Sequence, residues 1–164
     1  MRITEDAELP GTPDEIFAMR ATQEFQDEKC ARSSPAEHSV DIRTQGDRTL
    51  VTTVREMATD GLPDAVRSMI GTHLRIHETQ DWGPAAGDGS RTARIDLRVD
   101  GAPVTLRGTL QVVPSPNGSH QILEADLRAA IPFVGGKVEK AAAPAISHGF
   151  DLEAQILSEW LAPR

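Results

Sequence analysis

The sequence predicts an α+β chain: an antiparallel, curved sheet of six to seven strands wrapped around one long C-terminal helix, with two short helices after the first strand. Three observations predict it. The segment from Ile131 to Arg164 repeats apolar or small residues at three-and-four spacing, through Val138, Ala141, Ala142, Ala145, Ile146, Gly149, Phe150, Leu152, Ile156, Leu157 and Trp160. Between Thr92 and Ala129 the period is instead two, with residues such as Ala93, Ile95, Leu97 and Val99 facing one way and Thr92, Arg94, Asp96 and Arg98 the other. Turn signals at Gln45-Gly46-Asp47, Asp100-Gly101 and Asn117-Gly118 join neighbouring runs as hairpins. A sheet with one solvated face must cover the other, and only the terminal helix is long enough to do so.

Taken in order, Arg2 to Leu9 alternates with Ile3, Ala7 and Leu9 on one face, and reads as a strand on which Glu5 shares the apolar side. Pro10-Gly11 breaks it. Thr12 then caps a helix, with Pro13 at its first position and Glu15 three residues after the cap. A second helical stretch covers Thr22 to Cys30, followed by a loop from Ala31 to Glu37 that contains Ser33-Ser34-Pro35. His38 to Thr44 and Arg48 to Met57 form the first hairpin. A short helix from Pro63 to Ile70, with Leu62, Val66 and Met69 apolar, interrupts the strands and sits where a lid would. His73 to Trp82 returns to strand, with Glu78 and Gln80 in phase with Leu74, Ile76 and Trp82. Two further strands place Leu106, Gly108 and Leu110, then Leu123, Ala125 and Leu127, inward. The terminal helix, at about 30 residues, is roughly 45 Å long. Pro144 predicts a bend within it, and Gly135-Gly136 a close backbone approach at its start.

Composition narrows the function. A chain of 164 residues reads as one domain, 1–164, able to bury about 70% of its unfolded surface. A formal charge of −8, with 14 Arg and 3 Lys scattered along the chain, excludes nucleic acid and anionic membrane surfaces as expected partners. Cys30 is the only cysteine, so no intramolecular disulfide is expected, and a small buried hydrophobe is the reading for it. Met1 to Pro10 is too acidic and polar for a secretion signal, and no run approaches 18 apolar residues. The expectation is a cytoplasmic protein with no integral membrane association.

The element order, the opening Leu9-Pro10-Gly11-Thr12-Pro13-Asp14-Glu15-Ile16-Phe17 and the long terminal helix resemble the START-like, or helix-grip (SRPBCC, polyketide cyclase-like), superfamily. Two stretches are similar to a narrower bacterial family, domain of unknown function 2505: Leu62-Pro63 through Ile70-Gly71 to Trp82, and Ile131 to Glu139 with the closing Glu159-Trp160-Leu161. The superfamily resemblance implies a fold and a cavity for apolar ligands. It implies no particular activity, since one fold hosts many functions, and the narrower family carries no catalytic residues across.

No motif carries specific chemistry. Gly135-Gly136-Lys137 lacks the earlier glycine of a phosphate loop and has Val138 where the magnesium-binding hydroxyl belongs. His73 and His77 lie roughly 13 Å apart along a strand, too far for one ion, and no metal or cofactor is expected. His148 and Asp151 read as a solvated pair on the polar side of the helix, and no serine stands in a nucleophile elbow. Polar residues in apolar phase stand out: Glu5, Glu78, Gln80 and Glu153. Each wets a cavity rim, holds the polar group of a ligand or, with a raised pKa, serves as a general acid or base, and a buried carboxylate must be paired, hydrogen-bonded or protonated.

The candidate ligand-binding set is therefore Leu97, Leu106, Leu110, Leu123 and Leu127 from the sheet, and Ile146, Phe150 and Leu157 from the helix. Trp82 and Phe133 join as wall aromatics, and Glu5, Glu78 and Glu153 as polar contacts. The reading is a protein that binds a small hydrophobic or amphipathic molecule, lipid-like or polyketide-like, between sheet and helix. One alternative is a cyclase- or dehydratase-type enzyme, against which the absence of any Tyr and the scatter of the carboxylates count. Another is an interaction module whose groove receives a partner protein or a second copy, making a homodimer.

Overall fold

The computed structural model describes residues 1–164 apart from 34, 35, 61, 163 and 164. Its elements are β1 (Arg2–Leu9), α1 (Pro13–Arg20), α2 (Gln23–Ser33), β2 (His38–Gln45), β3 (Arg48–Ala58), α3 (Asp64–Ile70), β4 (His73–Trp82), β5 (Arg91–Val99), β6 (Val104–Ser115), β7 (Gly118–Ala129) and α4 (Gly135–Leu161). The predicted loop at Ala31 gives way to three more residues of α2, and the expectations at Ser34, Pro35 and Arg164 lie outside the described residues.

One seven-stranded sheet runs in the order β1-β7-β6-β5-β4-β3-β2, antiparallel at every pairing. Every neighbouring pair after β2 is consecutive in the chain, because short connections favour antiparallel neighbours. Only β1 departs from this: the chain leaves one edge, passes through α1 and α2, and re-enters at the opposite edge. Those two helices therefore close one end of the sheet. The capping box expected at Thr12 and Glu15 is present, each side chain bonding the other's backbone N–H.

Alternation sets which side chains meet α4. Ile95, Leu106, Leu110, Leu123 and Leu127 are buried on the concave face, and Arg94, Arg107, Gln111 and Glu124 are exposed on the other. Close backbone approach requires glycine at Gly135 and Gly108, among other positions. At Gly135 a Cβ would stand 2.3 Å from the carbonyl oxygen of Ala129, so a side chain there would block the turn from β7 into α4. At Gly108 a Cβ would meet the Glu124 carbonyl oxygen of β7 at 2.0 Å.

The two halves of α4 bury differently. Phe150, Glu153, Ile156 and Leu157 in the second half are buried, whereas in the first half only Gly135 and Val138 are, Ala141, Ala142, Ala143 and Ile146 are partly so, and Pro144 is exposed. The C-terminal half is held by α2, where Trp160 meets Phe25 edge-on at 5.7 Å and Glu159 pairs with Arg32 at 2.7 Å. The N-terminal half lies over a space.

Candidate functional site

Between the concave face of the sheet and α4 lies a cavity of about 350 Å³. Its apolar wall is laid down by strand periodicity, since Leu97, Leu106, Leu110, Leu123 and Leu127 share one face of three adjacent strands. Opposite them α4 presents Ala141, Ala142, Ala145 and Gly149 together with Ile146 and Phe150. Small side chains facing large ones leave volume that a leucine-rich helix would have filled. Leu62, Val66 and Ile70, in and beside α3, complete the lining at one end.

The other end is charged. Lys29 and Ser33 of α2, Arg55 of β3, Glu78 and Gln80 of β4 and Glu153 of α4 all reach the lining. Arg55 donates to Glu78 at 3.0 Å, and Lys29 lies 3.5 Å from Glu78 and 3.9 Å from Glu153. Behind the lining, Arg20 at the end of α1 is fully buried; it donates through Nε to Glu153 at 2.7 Å and through Nη2 to the Gln121 side chain. One face of β4 orders this wall. The Trp82 indole N–H bonds Gln80 Oε1 at 3.1 Å, and the Gln80 amide bonds Glu78 Oε1 at 2.9 Å. Residues spaced by two on a strand thus pass orientation from a packed aromatic to a carboxylate on the cavity wall.

Both carboxylates are held ionised. Burial alone would raise the Glu78 pKa, but the Lys29 and Arg55 charges, with hydrogen bonds from Gln80 and Lys29, outweigh it and hold it at about 2. At Glu153 the same opposition, burial against the charges of Lys29 and Arg20, also resolves downward. Cys30 behaves oppositely: it is buried, and burial pushes its thiol up, which suits an inert packing residue.

Of the sequence-predicted set, Glu78, Leu97, Leu106, Leu110, Leu123, Leu127, Ile146, Phe150 and Glu153 lie on the cavity wall. Four do not. Glu5 is spaced correctly along β1, but β1 is an edge strand, and its carboxylate instead meets the Ser147 hydroxyl of α4. Trp82 is fully buried beyond the charged wall, edge-on to Phe17 at 5.8 Å and beneath Arg20, so it supports the site without lining it. Leu157 is buried in the packed half of α4, about one turn past Glu153, the last α4 residue of the lining. Phe133 is fully exposed, in the turn before α4 with φ of +68°, where no element covers it. His148 also departs from expectation, for although exposed it reaches the lining.

The residues that sequence reasoning missed are the cations. Arg20, Lys29 and Arg55 each repeat the phase of a buried neighbour: Ile16 four before Arg20, Phe25 four before Lys29, Thr53 two before Arg55. That phasing was the available signal. Among the described residues no group of three or more His, Cys, Asp or Glu is arranged to hold a metal ion, and no helix is long and apolar enough to cross a membrane.

Comparison with known proteins agrees with this geometry. The family described as "Protein of unknown function (DUF2505)" matches residues 4–161. Uncharacterized proteins of Mycobacterium tuberculosis and Mycobacterium bovis are 30% identical over 113 residues, 68% of this chain and 64% of theirs, so the match spans less than two thirds of those relatives. Among solved structures, TTHA0849 of Thermus thermophilus superposes with a TM-score of 0.65 at 16% identity, covering 99% of this chain and all of that one. A STAR-related lipid transfer protein from Xanthomonas axonopodis gives 0.58 at 15% identity, over 98% and 85% of the two chains. The Zhui aromatase/cyclase from Streptomyces sp. R1128 gives 0.60 at 10% identity, over 98% and 92%. These likenesses show the START-like helix-grip fold.

Proposed function

This chain belongs to the DUF2505 family of proteins of unknown function, and we propose that it binds a small amphipathic molecule between its sheet and α4. The observation that carries the reading is the cavity itself: about 350 Å³, apolar over most of its lining and charged at one end. That volume falls at the small end of the range for ligand sites, roughly 300–1,000 Å³. Affinity would come from burial, at about 25 cal/mol per Å² of apolar surface, with the polar end setting orientation. The lipid-transfer protein of the same fold supports the reading, and α3, whose Val66 and Ile70 reach the lining, is placed to act as its lid.

The aromatase/cyclase of the same fold raises the enzymatic alternative. Binding is favoured over turnover because Glu78 and Glu153 are both ion-paired and held below the ordinary carboxylate range, so neither is a proton donor near neutral pH. Native mass spectrometry of freshly purified protein tests the reading. An additional mass of a few hundred daltons or less, lost on denaturation or gained on incubation with medium-chain amphiphiles, is the expected result. The bare chain mass under both conditions would overturn it, and a doubled mass would transfer the apolar surface to an interface between two copies.

A further inference from the structure

The charged end of the cavity has more donors than acceptors. Five ionisable side chains form it, Arg20, Lys29 and Arg55 against Glu78 and Glu153, and each side chain is 14% exposed or less. Three cations facing two carboxylates leave one formal positive charge, in surroundings where an uncompensated charge is costly. The remaining ionisable groups of the lining, Asp60 and His148, are exposed.

The hydrogen bonds point the same way. Glu78 is already committed at both oxygens, Oε1 to Lys29 and Gln80, and Oε2 to Arg55. Glu153 Oε1 accepts from Arg20, and its Oε2 stands 3.9 Å from Lys29, an ion-pair rather than a hydrogen-bond distance. Lys29 has three protons to donate, yet among the described residues its one hydrogen bond is the 3.5 Å contact to Glu78. Arg55 donates through Nη2 to Glu78 and through Nη1 to the Ser33 hydroxyl at 3.3 Å, while its buried Nε has no partner among the described residues. Arg20 Nη1 is likewise buried without a partner among the described residues, but Arg20 lies behind the lining, so Lys29 and Arg55 are the cations whose unspent donors reach the cavity.

We infer that Lys29 and Arg55 form the receptor for a compact monoanionic head group, of which a carboxylate is the simplest, carried on an apolar body that fills the rest of the cavity. This rests on the cavity reading above and names its ligand class. A cationic head would add to the surplus charge, and a neutral hydroxyl would leave it in place. A carboxylate cancels it and accepts from both side chains, and charge-assisted bonds of this kind are stronger than neutral ones. Taking a water's share of liquid volume, about 30 Å³, as the unit, the cavity suits roughly a dozen heavy atoms.

Decanoate and 1-decanol, alike in chain and differing in head group, separate the two levels of the argument. Isothermal titration calorimetry of the wild-type protein at pH 7 is expected to show decanoate binding about tenfold or more tighter than decanol. Lys29→Gln and Arg55→Gln are each expected to remove most of that preference, bringing the decanoate and decanol affinities together. Equal affinities in the wild type, or tighter binding of decanol, would overturn the head-group inference and leave the cavity reading standing. Binding of neither overturns both. A preference that survives in both variants overturns the assignment to these two residues. Should a Gln variant fail to show a cooperative thermal transition, Arg55→Lys, which keeps the charge and loses the fork, gives the same readout as a weakening confined to decanoate.

Discussion

The two ends of the cavity are built from the same strands by different physics. At the apolar end, Leu106, Leu110, Leu123 and Leu127 contribute through burial, which is non-directional and tolerates exchange among side chains of similar volume. At the charged end, Arg20, Lys29, Arg55, Glu78 and Glu153 depend on one another, and removing either carboxylate leaves a cation charged and dry. Under the proposed binding function, the first end would set how much of a ligand is buried and the second which way round it lies.

The sharpest way to break the comparison is Glu153→Ala, which strips Arg20, a residue with no solvent access, of its carboxylate. A loss of about 3–5 kcal/mol in urea unfolding is expected, and the double change Arg20→Met with Glu153→Leu should restore much of it. Restoration would show that the pair is kept for something other than stability.

Acid probes the same wall without mutation. The folded-state pKa of Glu78 lies at about 2, below its ordinary 4.5, so its contribution is present above the ordinary value and is lost as pH falls through about 2. On the order of 3 kcal/mol should disappear over that interval, Glu153 adding in the same direction. Glu78→Gln should flatten the stability-pH profile between pH 5 and 2, and an unchanged profile would deny Glu78 its part in the wall.

At the apolar end the same scrutiny should find tolerance. Leu123→Met, conserving volume at a buried position facing the cavity, is expected to cost less than about 1.5 kcal/mol in thermal or urea unfolding. Phe133→Asn gives the smallest effect, within about 0.5 kcal/mol, because the ring is fully exposed and Asn accepts the positive φ. It should also leave decanoate affinity unchanged, whereas a loss of binding would bring the turn before α4 back into the site.

Local pattern reached a long way into this molecule. Period two named the concave leucines of β5, β6 and β7, and period 3.6 named the face of α4, because both repeats are properties of the backbone and hold wherever the element is placed. The same phase logic marked Glu78, Gln80 and Glu153 as polar residues on an apolar side. It misplaced Phe133, since an aromatic is apolar by composition whether or not any element covers it, and Glu5, since phase along a strand says nothing about whether the strand is an edge.

The chain's own periodicities were enough to define the elements, the inward-facing leucines and the long helix opposed to them. Which charges face one another was decided only on folding. Arg20 meets a carboxylate 133 residues away, Lys29 one 49 residues away and Arg55 one 23 residues away. Each of the three repeats the phase of a buried neighbour, yet a charged side chain in such a position reads as solvated until a partner is known. Charge pairing acts over a few ångströms of space at any distance along the chain, so the surplus cation at the end of the cavity exists only where α1, α2, β3, β4 and α4 come together.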